Sequence, residues 1–121
     1  KKRWIGNSYT KRLADLAGLS LPVEASWAKQ VYWMYGIVLD AATGLNAAGF
    51  AEKLKKQGVE TRPFFLGMHE QPVFHKMGLF RNESYPVTEH IARQGLYLPS
   101  GLTLTEEQID RVCNTIKYIL A

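Results

Sequence analysis

Between Val31 and Leu39 the chain reads VYWMYGIVL, nine residues without a charge. A run this apolar is far short of the roughly 20 residues a membrane-spanning helix needs. Its β-branched and aromatic content favours a strand, and the lack of any polar alternation predicts an inner strand with both faces covered by helices. That requirement sets the fold, because such a strand needs sheet neighbours and a helical layer. A chain of 121 residues suffices for one compact domain of this kind and no more.

The other segments supply the partners. Ile5, Tyr9, Leu13 and Leu16 recur at three- and four-residue spacing, predicting an amphipathic helix closed by Gly18. Leu19–Pro22 reads as a short apolar connector. Asn46 is the expected N-cap of a helix showing Ala47, Phe50, Ala51 and Leu54 on one face, with Glu52 four residues before Lys56 and Gly58 as the stop. Val59–Arg62 reads as a short strand. Pro86 opens a helix over Val87–Gln94 that stops at Gly95, and Leu96–Leu98 is a strand ended by Pro99. In the last helix Thr105 and Gln108 form a capping box, and Ile109, Val112, Cys113, Ile116 and Leu120 make one stripe. The order helix, strand, helix, strand, loop, helix, strand, helix predicts an α/β fold in the loose sense, a small sheet with helices packed on it.

Composition narrows the function. Hydrophobic residues at 46% against 21% charged describe a globular chain. The net charge of +4 includes the leading KKR, read as a solvated terminus, and the other basic residues are scattered without a recognition motif. Nucleic acid is therefore not the expected partner. Cys113 is the only cysteine, which excludes an internal disulfide and a paired-cysteine zinc site and fits a reducing cytoplasm. No apolar h-region follows the charged start. The chain opens without methionine in what reads as a helix already in progress, as expected for a piece of a longer protein.

The segment Thr61–Phe74, TRPFFLGMHEQPVF, concentrates the chemistry. Pro63 and Pro72 predict a segment that is neither regular helix nor regular strand. His69 and His75 match no metal-ligand spacing, and His69 reads most simply as satisfying a nearby backbone group. No nucleophile elbow, P-loop or dinucleotide fingerprint is present. Trp33, Tyr35, Phe64, Phe65, Phe74 and Tyr97 exceed what a small core needs, though packing accounts for most of them. Arg62 ends a strand with five donors to satisfy, and either a salt bridge or an anionic ligand beside aromatic faces would do so.

The pattern TRPFF…MHEQPVF resembles the C-terminal part of the DegT/DnrJ/EryC1/StrS sugar aminotransferases, which use pyridoxal phosphate (PLP) to transaminate a keto group on a nucleotide-linked sugar. VYWMYGIVL is similar to the strand entering that family's small domain. YPVTEHIARQGLYLPSGLTLTEEQIDRVCNTI is similar to its closing section. The resemblance covers nearly the whole chain with its motifs in order, and YWMY and RPFFLGMH look most like the perosamine-synthetase branch.

The resemblance implies an α/β (α+β) fold. It would be the C-terminal small domain of a fold-type I aminotransferase over residues 1–121, with a small antiparallel sheet flanked by helices and Lys1–Gly18 in the linking helix. It also implies that the large domain, with the Schiff-base lysine and most of the PLP contacts, lies outside this chain. None of the nine lysines stands in the family's serine- and glycine-rich context, so these residues alone are expected to be inactive. Implied partners are a keto-sugar nucleotide, glutamate as amino donor and a second copy of the full-length enzyme, in the cytoplasm and away from membranes. Implied substrate-site residues are Arg62 as anion partner, Phe64 and Phe65 as apolar walls, His69 as hydrogen-bond donor, and Trp33 and Tyr35 shaping the pocket. Where family members often read Pro-Leu-His, this chain has Gly67-Met68-His69, which gives the loop more freedom. The rival reading is a free-standing module of the same fold that binds a nucleotide sugar or a protein. A domain separated from its other half should expose an apolar patch, whereas a free-standing module should not.

Overall fold

The computed structural model describes residues 1–121. Four strands form one antiparallel sheet in the order β1-β2-β4-β3, with β1 at Leu19–Ser20, β2 at Tyr35–Leu39, β3 at Arg62–Pro63 and β4 at Gly95–Leu98. The helices are α1 (Lys2–Leu13), α2 (Ala47–Lys56), α3 (Pro72–Lys76), α4 (Pro86–Gln94) and α5 (Glu106–Leu120). The mixed helix-and-sheet class and the antiparallel sheet agree with the expectation.

The core lies on one face of the sheet. Tyr35, Ile37 and Leu39 of β2 and Leu96 and Leu98 of β4 meet Ile5, Tyr9 and Leu13 of α1, Phe50 and Leu54 of α2, and Ile109, Val112, Cys113 and Ile116 of α5. Each large apolar side chain buried there contributes about 1.5–3 kcal/mol. The two core tyrosines bring polar ends that need partners. Tyr9 donates to the Pro99 carbonyl at 2.8 Å, and the Tyr35 hydroxyl pairs with Thr10 Oγ1 at 2.8 Å. Arg12 clamps α1 to α5, reaching Asp110 at 2.5 Å and Glu106 at 2.8 Å.

The helix termini behave as their sequences dictate. Asn46 accepts from the Gly49 N–H, the Thr105–Gln108 capping box is reciprocal, and the Glu52–Lys56 pair closes at 3.0 Å. Gly58 takes a φ of +77° after α2, where a side chain would be strained.

Five expectations need correction. Of the Val31–Leu39 run only Tyr35–Leu39 is strand, because Tyr32 turns to φ +50° and lays its ring on Gly6 of α1. β2 is hydrogen-bonded on both sides, yet it alternates buried and half-buried residues, so its second face is only partly covered. Leu19–Ser20, read as a connector, is an edge strand pairing with Val38 and Leu39; two residues are too few for a periodic signal. The strand expected at Val59–Arg62 begins at Arg62 and includes Pro63. Pro63 is tolerated because β3 is an edge strand: Phe64 N–H donates to Gly95 O at 3.3 Å, so the donor that Pro63 lacks would face outward. Finally, Pro72 does not disrupt Thr61–Phe74 but starts α3 at its first position, after a 3-10 turn at Met68–Glu70.

Candidate functional site

Arg62 and Tyr97 are paired across β3 and β4, and Tyr97 is paired with Gly36 of β2, so all three share the sheet face opposite the core. Phe64, two residues beyond Arg62, returns to that face. Its ring lies 4.4 Å from the Tyr97 ring, centroid to centroid, and Phe65 stands 6.0 Å from Tyr97 on a tilt. The aromatic layer sits close to the backbone because Gly36 and Gly95 lie beneath it. A Cβ on either would come within 2.6 Å of the Phe64 ring.

Where β4 ends and β2 and β3 begin, a cleft of about 430 Å³ opens, lined by Arg62, Tyr97, Trp33, Lys2, Glu60 and the Leu98–Gly101 turn. Two cations face one carboxylate there. Arg62 is exposed and takes part in none of the seven ion pairs of the chain, so the salt-bridge alternative for it is not realised. Lys2 is half-buried, its ammonium donating to Trp33 O at 2.9 Å and Ser100 O at 2.6 Å. A guanidinium fork beside an exposed indole and a tyrosine ring suits an anion attached to a flat or apolar body.

The structure thus brings Arg62 and Trp33 to one cleft with Tyr97, while Phe64 and Phe65 pack against Tyr97. Tyr35 lies on the other face, fully buried with its ring 5.0 Å from that of Tyr9. His69 occupies a separate polar cluster. It is 7% exposed, donates from Nε2 to Glu89 at 3.0 Å, and holds its ring 4.8 Å from that of Tyr85 on a tilt. Its carbonyl accepts from His75, and Glu70 beside it pairs with Arg93. Hydrogen bonds from the Tyr85 N–H and from His69 hold the Glu89 carboxyl below its usual range, and Arg93 does the same for Glu70.

Sequence reasoning missed Lys2, which it assigned to a solvated terminus. The signal was there, since Lys2 heads the buried stripe Ile5, Tyr9, Leu13 of α1 at helical spacing.

Comparison with known proteins places the chain in a family. Residues 1–117 match the model of the DegT/DnrJ/EryC1/StrS aminotransferase family, and the chain belongs to that family. Its members are PLP-dependent aminotransferases. The chain is 29% identical over 106 residues to a GDP-perosamine synthase of Vibrio cholerae, covering 86% of this chain and 28% of that protein. It is 28% identical over 120 residues to the putative pyridoxal phosphate-dependent aminotransferase EpsN of Bacillus subtilis, covering 98% and 30%. The crystal structure of DesV from S. venezuelae superposes with a TM-score of 0.84 at 25% identity, over 98% of this chain and 31% of that one. The chain therefore spans about three tenths of the length of its relatives.

PLP chemistry needs a lysine amine held as an imine in a protected site. Eight of the nine lysines here are exposed, and Lys2 is committed to two carbonyls. In this structure no lysine of the chain stands in such a protected site with a free amine.

Proposed function

We propose that this chain is the substrate-facing C-terminal part of a PLP-dependent aminotransferase that converts a keto-sugar nucleotide to an amino-sugar nucleotide. GDP-perosamine formation is the first candidate, on the likeness to the Vibrio enzyme. The observation that carries the reading is the unpaired, exposed Arg62 at the mouth of a cationic cleft with aromatic walls. Arg62 binds phosphate oxygens of the nucleotide sugar, Trp33 and Tyr97 supply flat surface, and Phe64 and Phe65 back Tyr97. Tyr35 supports the sheet from the core side, and His69 orders the loop leading to α3 through Glu89.

The rest of the enzyme supplies the cofactor site, so the 121 residues alone are inactive. Glutamate serves as amino donor, and the whole enzyme works as a homodimer in the cytoplasm. No helix of this chain is long and apolar enough to cross a membrane.

The surface favours this reading over a free-standing module. Apart from the cleft residues, Trp27, Val23, Val87, Met77 and Met68 are each at least 60% exposed, and three of them fall in the one segment from Met68 to Val87. That much exposed apolar area is expected where another part of the protein docks.

In the full-length enzyme, Arg62→Ala is expected to raise KM for the sugar nucleotide about 10- to 100-fold, the worth of charge-assisted hydrogen bonds. The cofactor absorbance should stay unchanged. Loss of that absorbance with KM preserved would place Arg62 in support of the cofactor or the fold and sink the substrate reading.

A further inference from the structure

Trp33 is carried on a segment, residues 21–34, that contains no helix or strand. Its order comes from side chains. Glu24 accepts from Arg3 at 3.1 Å and from the Gln30 N–H at 2.5 Å, and the Gln30 side chain accepts from the Val31 and Tyr32 N–H groups. The Tyr32 ring then seats on Gly6, where a Cβ would come within 2.5 Å of it. The first turns of α1 therefore form the bed on which this approach to β2 lies.

Lys2 does more than join that bed. Its single ammonium spans the cleft's two irregular walls, the Trp33 carbonyl on one side and the Ser100 carbonyl of the turn after β4 on the other. The same turn is held one residue earlier by the Tyr9 hydroxyl on Pro99 O. An ammonium has three donors, so one remains for the cleft.

We infer that Lys2 is a positioning residue of this cleft: it staples the Trp33 segment to the Ser100 turn and so sets the indole wall against the strand that carries Arg62. The inference rests on the reading of the cleft as the substrate site. Both bonds are charge-assisted, which makes them stronger than neutral ones and makes their loss felt at both walls together. Arginine, with several donors on a long stem, can serve both carbonyls, whereas methionine keeps the stem and removes every donor.

The test uses the full-length enzyme with Lys2→Met, Lys2→Arg and Arg62→Ala, assayed with the nucleotide-linked keto-sugar, and peptide-level hydrogen exchange on each. Lys2→Met should raise KM about tenfold with kcat within twofold, and Lys2→Arg should restore most of the loss. Exchange should rise in the peptides covering residues 28–35 and 98–102 and stay unchanged in α5. If Lys2→Met proves insoluble, Lys2→Gln replaces it, since its shorter arm cannot span both carbonyls. Unchanged KM and unchanged exchange in the Lys2 variant, beside a raised KM in Arg62→Ala, overturn the staple and leave the substrate site standing. Unchanged KM in Arg62→Ala removes the substrate reading instead. The exchange of the two walls then decides the staple by itself, faster exchange supporting it and unaltered exchange ending it.

Discussion

Replacing Gly36 by alanine tests whether the aromatic layer over the sheet is a fixed wall. The new Cβ would stand 2.6 Å from Phe64 Cζ and 2.9 Å from Cε1, and 3.5 Å from the Tyr97 ring. The first two are closer than real Cβ contacts, while the third is ordinary van der Waals contact. Phe64 must therefore move, and Tyr97, stacked on it at 4.4 Å, limits where it can go. Forcing a methyl into such a site costs about 1–3 kcal/mol. Against this, replacing glycine in a strand recovers about 0.5–1 kcal/mol of backbone entropy. The balance is a destabilisation of about 1–2 kcal/mol, or a fall in Tm of roughly 4–8 °C for a domain of this size. Urea and thermal unfolding followed by circular dichroism would measure it. The second half of the test is Phe64→Leu in the Gly36→Ala background, which removes the ring edge that clashes. The double variant should be more stable than the sum of the singles by about 1 kcal/mol, the signature of two residues in contact. A Gly36→Ala protein as stable as the parent, or strict additivity in the cycle, would mean that Phe64 yields freely and walls nothing.

Two further outcomes are expected. Thr105→Ala removes the side-chain half of the α5 capping box and should cost about 1 kcal/mol in the same unfolding assay, with Thr105→Ser restoring it. Burial pushes the Cys113 thiol up to about 11 and the Tyr35 phenol up to about 12, and raises Tyr9 in the same direction. At pH 10 the unfolded chain has released protons that the folded chain still holds, so stability falls as pH rises. The loss should start near the ordinary thiol value of about 9 and continue through 11 and 12, with Cys113→Ala flattening its lower part. A Tm that stays level between pH 8 and 11 would contradict the buried placement of these groups.

Much of this fold could be read locally. The α2 N-cap at Asn46, the start of α4 at Pro86 and the α5 capping box depend on residues within a few positions of one another. Their hydrogen bonds close inside the segment, so the local sequence determines them. The same holds for the core stripe of α5 and for the burial of Cys113 on it. Family membership was legible too, because TRPFF…MHEQPVF and the closing section keep their motifs in order along nearly the whole chain.

What the sequence did not determine depends on partners distant along the chain. Leu19–Ser20 is a strand only because Val38 and Leu39 lie beside it, and Pro63 is in one only because β3 falls at the sheet edge. Tyr32 leaves the extended conformation because a glycine 26 positions earlier receives its ring. The site follows the same division. The chemistry of Arg62 and the aromatic residues was enough to single them out as candidates. That Trp33 shares the cleft while Tyr35, two residues later, enters the core was decided by packing, and so was the hydrogen bond of Lys2 to Ser100, 98 residues away. Caps and stripes are short-range bonds that any copy of the segment can form. Register, face and cleft are set by which distant surfaces bury one another, and that competition is resolved only in the folded chain.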